Sequence, residues 1–172
     1  MANTNDPRGF LPYKAGGKEV VAHYYAKTAG EVLYPGDLVK RVAAGTVQVA
    51  GAGIAAGIVG VCAAYSAAAD TADVPVYDDP AGLFLGQCDG TTAYAVADNG
   101  QNVDVAAGTP DTSLRQSGML IDMNTKNTTA TLPFKIMGLA PGVNGGENAA
   151  GVNALLILKL NASESHPGST GV

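Results

Sequence analysis

The sequence predicts an all-β protein: a small β-barrel or β-sandwich, jelly-roll-like, with extended arms at both ends. Short apolar segments alternate with polar residues at a period of two, and turn signals separate them at intervals of about 8–12 residues. The chain contains 23 glycines and 9 prolines, which suit frequent turns, and no segment requires a long helix. We expect an N-terminal arm at 1–18, one β-domain at 19–161 and a C-terminal tail at 162–172.

The best-specified element is the segment 73–90, DVPVYDDPAGLFLGQCDG. Its two apolar runs, Val74–Tyr77 and Leu83–Leu85, flank a tight connector. In that connector Pro80 presets one turn dihedral and Gly82 allows a positive φ. We therefore predict that the two runs pair with each other as a β-hairpin.

The other segments follow the same pattern along the chain. Alternation on both sides of Ala43-Ala44-Gly45 predicts a second hairpin, formed by 38–42 and 46–50. Residues 91–96 are predicted as a short strand or a turn of helix, and 124–129 as a polar loop. Further strands or apolar β-segments are predicted at 19–28, 54–65, 102–105, 119–123, 131–139 and 152–160.

Charge limits the classes of partner. The net charge is −5 and the ten Lys and Arg residues are scattered, so no basic stripe is available to neutralise phosphates. We therefore expect no binding to nucleic acid. The stretch between Arg41 and Asp70 carries no charge and is long enough to cross a bilayer. Because it consists mostly of Ala and Gly and begins with strand-like alternation, we expect no membrane span.

The N-terminus and the cysteines indicate the compartment of synthesis. The opening MANTNDPRGF is polar and does not read as a signal peptide, which predicts synthesis in the cytosol. The two cysteines, Cys62 and Cys88, show no metal-binding spacing. We predict that both are buried, reduced thiols.

The sequence predicts no enzyme activity, no metal site and no cofactor. The segment 47–57, VQVAGAGIAAG, contains a GxGxxxG pattern, but Gly57 and Gly60 interrupt the helix that dinucleotide binding requires. Neither His23 nor His166 is placed beside a Ser or Cys nucleophile. Six carboxylates are expected in turns, where Asp bonds nearby backbone: Asp78, Asp79, Asp89, Asp98, Asp104 and Asp122.

Four stretches carry a resemblance to a known family. They are the opening NDPRGFLPY, the segment YPGDLVKRVAAGTVQVAGAGIAAGIVGVC, the segment VPVYDDPAGLFLGQCDG, and a late strand followed by a tail ending Gly-Ser-Thr-Gly-Val. In the second, a Gly-Asp-apolar strand precedes a Gly-rich one. With these patterns, which touch most of the chain, the protein resembles the small capsid decoration, or cement, proteins of tailed bacteriophages.

The resemblance implies a non-enzymatic virion protein, made in the host cytoplasm, that binds the outer surface of the phage head. There it would fasten adjacent subunits of the major capsid protein. Such proteins occur as trimers at three-fold positions or as dimers at two-fold positions, and we expect the homotrimer here. An extended arm cannot bury large apolar groups by itself. The candidate capsid-contact residues are therefore those of the N-terminal arm: Arg8, Phe10, Leu11 and Tyr13.

Two alternatives remain open from the sequence. The first is another phage structural protein, associated with the tail, the neck or a fibre. The second is a small carbohydrate- or ligand-binding β-module, which would use Tyr24, Tyr25 and Tyr34 as an aromatic platform, although tyrosines that pack in the core and at its rim would give the same pattern.

Overall fold

The computed structural model describes residues 3–14, 19–53, 57–142, 148–165 and 167–172. Within these residues the chain forms strands and one short 3₁₀ helix, Val96–Asp98, and it contains no helix that is long and apolar enough to cross a membrane. The all-β prediction is confirmed. The strands are β1 (Leu11–Tyr13), β2 (Ala22–Tyr25), β3 (Leu38–Arg41), β4 (Val47–Val49), β5 (Ile58–Cys62), β6 (Val74–Tyr77), β7 (Leu83–Gln87), β8 (Asn102–Ala106), β9 (Leu120–Asn127), β10 (Phe134–Leu139) and β11 (Leu155–Leu160).

The strands form two antiparallel sheets. The six-stranded sheet has the order β1-β7-β11-β10-β8-β9, and the five-stranded sheet has the order β2-β6-β5-β3-β4. Side chains from both sheets join in one core cluster, which contains all three phenylalanines of the chain, Phe10, Phe84 and Phe134. The alternating pattern of the strands places apolar side chains on one face of each sheet. Packing these two faces together removes them from water.

The five-stranded sheet also buries part of its other face. A second apolar cluster there includes Leu33, Val39 and Val76. The chain beyond β2 closes this sheet: Thr28 N donates to Val47 O over 2.9 Å, and Val47 N donates to Ala26 O over 2.8 Å. The edge of β4 is thereby paired, and the sheet has a barrel-like closure.

The six-stranded sheet closes in a similar way. Cys88, just beyond β7, forms a parallel bridge with Ile121 in β9, and Asp89 N donates to Ile121 O over 2.9 Å. The strands β7, β11, β10, β8 and β9 thus form a closed circuit around part of the core. The fold is a two-sheet sandwich in which each sheet curls. It therefore combines features of the two predicted architectures, the barrel and the sandwich.

The predicted hairpin at 73–90 is wrong in its pairing. Both strands and the turn exist, but β6 pairs with β2 and β5, whereas β7 pairs with β1 and β11. The connector carries the chain from one sheet to the other. Alternation identifies a strand, but the partner depends on which edge buries its apolar face. The second predicted hairpin is confirmed, with Val39 opposite Val49 in β3 and β4.

Two other boundaries differ from the prediction, and the C-terminal residues are held in place. Strand β9 runs to Asn127, through most of the predicted loop at 124–129, because Asn127 pairs with Asn102 of β8. In place of the strand or helical turn predicted at 91–96, a 3₁₀ helix spans Val96–Asp98, so only the last residue of the predicted segment belongs to it. Residues 167–172 lie against the domain, where Ser169 O accepts from the buried Asn102 Nδ2 over 2.8 Å.

Both cysteines are buried and free, as predicted. Cys62 belongs to the second apolar cluster and Cys88 to the shared core. Burial raises the pKa of the Cys62 thiol to about 11 and that of the Cys88 thiol to about 12. Neither side chain is a reactive thiolate at neutral pH.

Candidate contact surface

The described part of the N-terminal segment is fixed to the domain by polar side chains. Gln87, at the end of β7, accepts from Asp6 N over 3.0 Å and donates to Thr4 O over 2.8 Å. Asn3 donates to Ala149 O over 2.8 Å and accepts from Ala149 N over 3.0 Å. Residues 3–10 therefore follow a defined path across the domain.

Three chain segments meet at Gly9. A Cβ on Gly9 would lie 2.5 Å from Gly36 O and 2.5 Å from Ser117 Cβ, and Gly9 also has φ of 67°. Phe10 N donates to Gly36 O over 2.9 Å, and Ser117 N donates to Pro35 O over 3.2 Å. We call the meeting of Gly9, Gly36 and Ser117 the N-terminal junction; it requires glycine because only a residue without a side chain fits at this φ and this distance.

A buried carboxylate, that of Asp37, stabilises the turn next to the junction. Asp37 is 5% exposed, and its carboxylate accepts from Tyr34 N over 2.8 Å. Burial raises the pKa of Asp37, and the hydrogen bond with Ser117 opposes that rise. The Gly36-Asp37 pair in the YPGD sequence therefore has a structural role: it fixes the turn on which the N-terminal segment rests.

Phe10, one of the four predicted contact positions, lies in the core instead of at the surface. Its side chain is 1% exposed, and its ring centroid lies 4.5 Å from that of Phe134. A Cβ on Gly86 would lie 2.8 Å from the Phe10 ring. A chain with three phenylalanines and no tryptophan has few large groups with which to fill a core. Phe10 is therefore one of the few large groups that fill the core.

The other three predicted residues lie at the surface. Arg8 is exposed and pairs with Asp6 over 2.7 Å. Leu11 and Tyr13 are half-buried on β1, which is an edge strand paired with β7. Pro12 between them lacks an N–H and limits the pairing of a further strand on this edge. This surface therefore offers side chains rather than backbone to a partner.

The edge strand β2 of the other sheet adjoins this region. Lys14, just beyond β1, forms an ion pair with Glu19, and Val20 packs close to Gly82 in the connector between β6 and β7. Beyond it two apolar side chains are exposed, Val21 at 52% and Tyr24 at 71%. We call Arg8, Leu11, Tyr13, Val21 and Tyr24 the edge surface. Sequence analysis missed Val21 and Tyr24 as members because β2 reads as an ordinary strand.

A side-chain network fixes β2 beside the edge surface. The Asp78 carboxylate lies 2.7 Å from His23 Nδ1 and accepts from Tyr25 Oη over 2.5 Å. Burial, with the hydrogen bond to Asp78, raises the pKa of Tyr25 to about 12, so its hydroxyl stays a donor. The Arg41 guanidinium lies 5.2 Å from the Tyr25 ring centroid and pairs with Glu164 over 2.7 Å. These contacts hold β2 in place; no Ser or Cys nucleophile bonds to His23 within the described residues.

The three tyrosines proposed for a ligand-binding platform do not come together. Tyr24 points to solvent, whereas Tyr25 on the opposite face of β2 bonds to Asp78. Tyr34 packs against Tyr65, with their ring centroids 5.4 Å apart. The predicted platform is therefore wrong, and packing explains two of the three side chains.

The carboxylates serve the structure locally. Asp98 pairs with Lys126 over 2.8 Å. Asp104 and Asp122 lie opposite each other in β8 and β9 rather than in turns, which corrects the prediction for both. Asp104 is buried and accepts from Gly53 N over 2.6 Å. His166 lies outside the described residues. Across the described ranges, no group of three or more His, Cys, Asp or Glu side chains is placed to hold a metal ion.

No protein-family model, curated protein or solved structure matches this chain.

Proposed function

We propose that the protein binds the outer surface of a phage head and cements adjacent subunits of the major capsid protein. The observation that carries the proposal is the edge surface: exposed and half-buried Tyr, Leu, Val and Arg side chains on and next to β1 and β2, the outer strands of the two sheets. Aromatic residues and arginine are the groups that most often anchor protein interfaces. The sequence resemblance to decoration proteins supplies the identity of the partner.

The way in which these side chains are held supports a binding role. Arg8 lies next to the N-terminal junction, and Leu11 and Tyr13 lie on a paired strand. Groups that are already ordered lose little conformational entropy on binding, so modest contacts can give useful affinity. On a capsid lattice many such contacts act together, which multiplies the effect of each.

Charge and mass action are in keeping with an external position. The net charge of −5 disfavours contact with packaged DNA, whose phosphates would repel the protein. A protein that binds only the assembled head stabilises that state by mass action. Self-association as a homotrimer belongs to this proposal, because a three-fold site on a capsid presents three equivalent contacts.

Binding to purified heads that lack this protein tests the proposal. The wild type should bind near one copy per major capsid subunit and raise the temperature at which the heads rupture. Tyr24→Ser should bind at least about tenfold more weakly, because it removes an exposed aromatic anchor. The control is Val96→Ser, which removes an apolar side chain of similar exposure (67%) on the 3₁₀ helix, outside the edge surface. Heads that bind no wild-type protein would refute the proposal.

The copy number distinguishes the second phage function. A quantified gel of purified particles gives the ratio of the 17.2 kDa band to the major capsid protein. A ratio near one supports head decoration. A few dozen copies or fewer would assign the protein to the tail, the neck or a fibre instead.

A further inference from the structure

The outer face of the six-stranded sheet holds residues 167–172 in a groove. The backbone of this segment is bound at two points. Gly171 N donates to Thr128 O, and the next amide, Val172 N, donates to Gly100 O, each over 3.2 Å. We call the site the tail groove; it is lined by the side chains of Asn102, Lys135 and Asn161 and by the backbone at 100 and 127–130.

Every polar group of Ser169 is bound in the tail groove. Asn161 Oδ1 accepts from Ser169 N over 3.1 Å and from Ser169 Oγ over 3.2 Å. Asn102 and Lys135 lie opposite each other in β8 and β10, on the face away from the shared core. Asn102 Nδ2 donates to Ser169 O over 2.8 Å, and Lys135 Nζ donates to Ser169 Oγ over 2.7 Å and to Thr170 O over 2.9 Å. Three side chains thus converge on one serine, whose hydroxyl both donates and accepts.

The walls of the tail groove exclude side chains on either side of this serine. A Cβ on Gly168 would overlap the backbone oxygen of Ala130. A Cβ on Gly171 would lie 3.0 Å from Gly100 O and 3.1 Å from Asn127 O, closer than ordinary contacts allow. The residue between Ser169 and Gly171 is exposed. The groove therefore selects the sequence Gly-Ser-x-Gly.

The two asparagines of the tail groove are held in place independently of the segment. Asn102 is 0% exposed and Asn161 is 3% exposed. Asn102 Nδ2 also donates to Thr129 O over 3.0 Å. Asn161 Nδ2 donates to Ala130 O over 2.9 Å and to Leu132 O over 3.1 Å. Because these bonds go to the connection between β9 and β10, both amides keep their orientation when the segment leaves, and a returning ligand orders few groups.

The segment contributes nothing to the apolar core. Of the residues that the structure describes, none at 167–172 belongs to either apolar cluster. Four of the six are exposed: 167, 169, 170 and 172. The domain therefore keeps both of its apolar clusters when the segment is released, and the segment is bound as a ligand would be, by hydrogen bonds and close backbone approach.

We propose that the tail groove is a peptide-binding site selective for Gly-Ser-x-Gly, and that the segment 167–172 is its ligand, bound in cis and replaceable by the same segment of a second copy. A segment on a short linker competes at an effective concentration in the millimolar range. Since the segment fills the groove at that concentration, the same sequence as a free peptide binds with a Kd of about 1 mM or below. This inference does not depend on the proposed function.

Opening the groove in the full chain and adding the segment as a peptide tests the inference. The double variant Gly168→Val/Ser169→Ala should release the segment, because valine overlaps a backbone oxygen and alanine lacks the hydroxyl. Hydrogen exchange at the amides of Gly171 and Val172 should then be faster than in the wild type, while the circular dichroism spectrum stays unchanged. The matched control is Thr170→Ala, an exposed side chain between the bound residues, which should keep its segment in place.

A peptide of residues 167–172, acetylated and amidated, is the probe. Shifts of the side-chain amide signals of Asn102 and Asn161 should give a Kd of about 1 mM or below for the double variant. The wild type and Thr170→Ala should show no binding, because their own segment fills the groove. A peptide carrying Gly168→Ala should bind the double variant at least about tenfold more weakly. Adding Lys135→Met to the double variant should weaken binding of the unchanged peptide about tenfold, since two bonds from a charged donor are lost.

Three results would each overturn the inference. Slow exchange at Gly171 and Val172 in the double variant would show that the groove does not require glycine and serine. Fast exchange without binding of the peptide at several millimolar would show that the groove is not a site of its own. An unfolded double variant would make the segment part of the folding unit. The head-binding assay of the proposed function is unaffected by any of these results.

Discussion

Replacing Phe10 with alanine tests whether the N-terminal segment is part of the folded core. The Phe10 ring is 1% exposed and packs 4.5 Å from Phe134, so the truncation leaves a cavity between the sheets. Losses of this kind cost about 3–5 kcal/mol. For a chain of 172 residues, that corresponds to a fall of about 6–20 °C in the melting temperature.

Denaturant unfolding followed by far-ultraviolet circular dichroism measures this loss. The matched control is Arg8→Ala, two residues away and exposed, which should change the free energy of unfolding by less than about 0.5 kcal/mol. If Phe10→Ala also changed stability by less than about 1 kcal/mol, the segment would not be docked in solution. Phe10 would then return to the set of exposed contact residues.

Three further predictions concern the buried groups. Because burial raises the pKa of Asp37, the folded protein keeps its proton to higher pH than the unfolded chain, and stability falls as the pH rises above the usual value of 3.8. Denaturation measured between acid and neutral pH should therefore show the free energy of unfolding of Asp37→Asn rising relative to that of the wild type as the pH rises. A difference between the two that stays constant with pH would refute this. In the native protein Cys62 and Cys88 should react with a thiol reagent at least about 100-fold more slowly than after unfolding, since both pKa values are raised; equal rates would contradict their burial. Gly60→Ala should lower the free energy of unfolding by more than about 2 kcal/mol, because its Cβ would lie 2.1 Å from a backbone oxygen, whereas Gly51→Ala has open space and should be near neutral.

The sequence predicts most strands correctly but not how they pair. Val74–Tyr77 and Leu83–Leu85 read as strands because their alternation is local information. Their assignment to different sheets depends on their partner strands, which are β2 and β5 for the first run and β1 and β11 for the second. All four partners lie outside the segment 73–90. The hairpin of β3 and β4 was predictable because turn and pairing lie within one short segment.

The candidate surface was predictable only in part. Arg8, Leu11 and Tyr13 could be selected from the sequence as groups that a short segment cannot bury. Phe10 could not be separated from them, because its burial depends on Phe134, more than a hundred positions away. Tyr24 was identified from the sequence as an aromatic candidate, and the structure leaves it 71% exposed on the outer strand of the five-stranded sheet.

The order of the strands along the chain has a consequence for folding. All five strands of one sheet, β2 to β6, are contiguous in the sequence, whereas β1 must wait for β7 before it can pair. Closing long loops slows folding, so the five-stranded sheet is expected to form early and β1 to dock late. Residues that dock late chiefly control the rate of unfolding. The segment that we place nearest the partner would then act as the clasp of the fold: its release would begin unfolding, and a capsid subunit bound over it would delay that release.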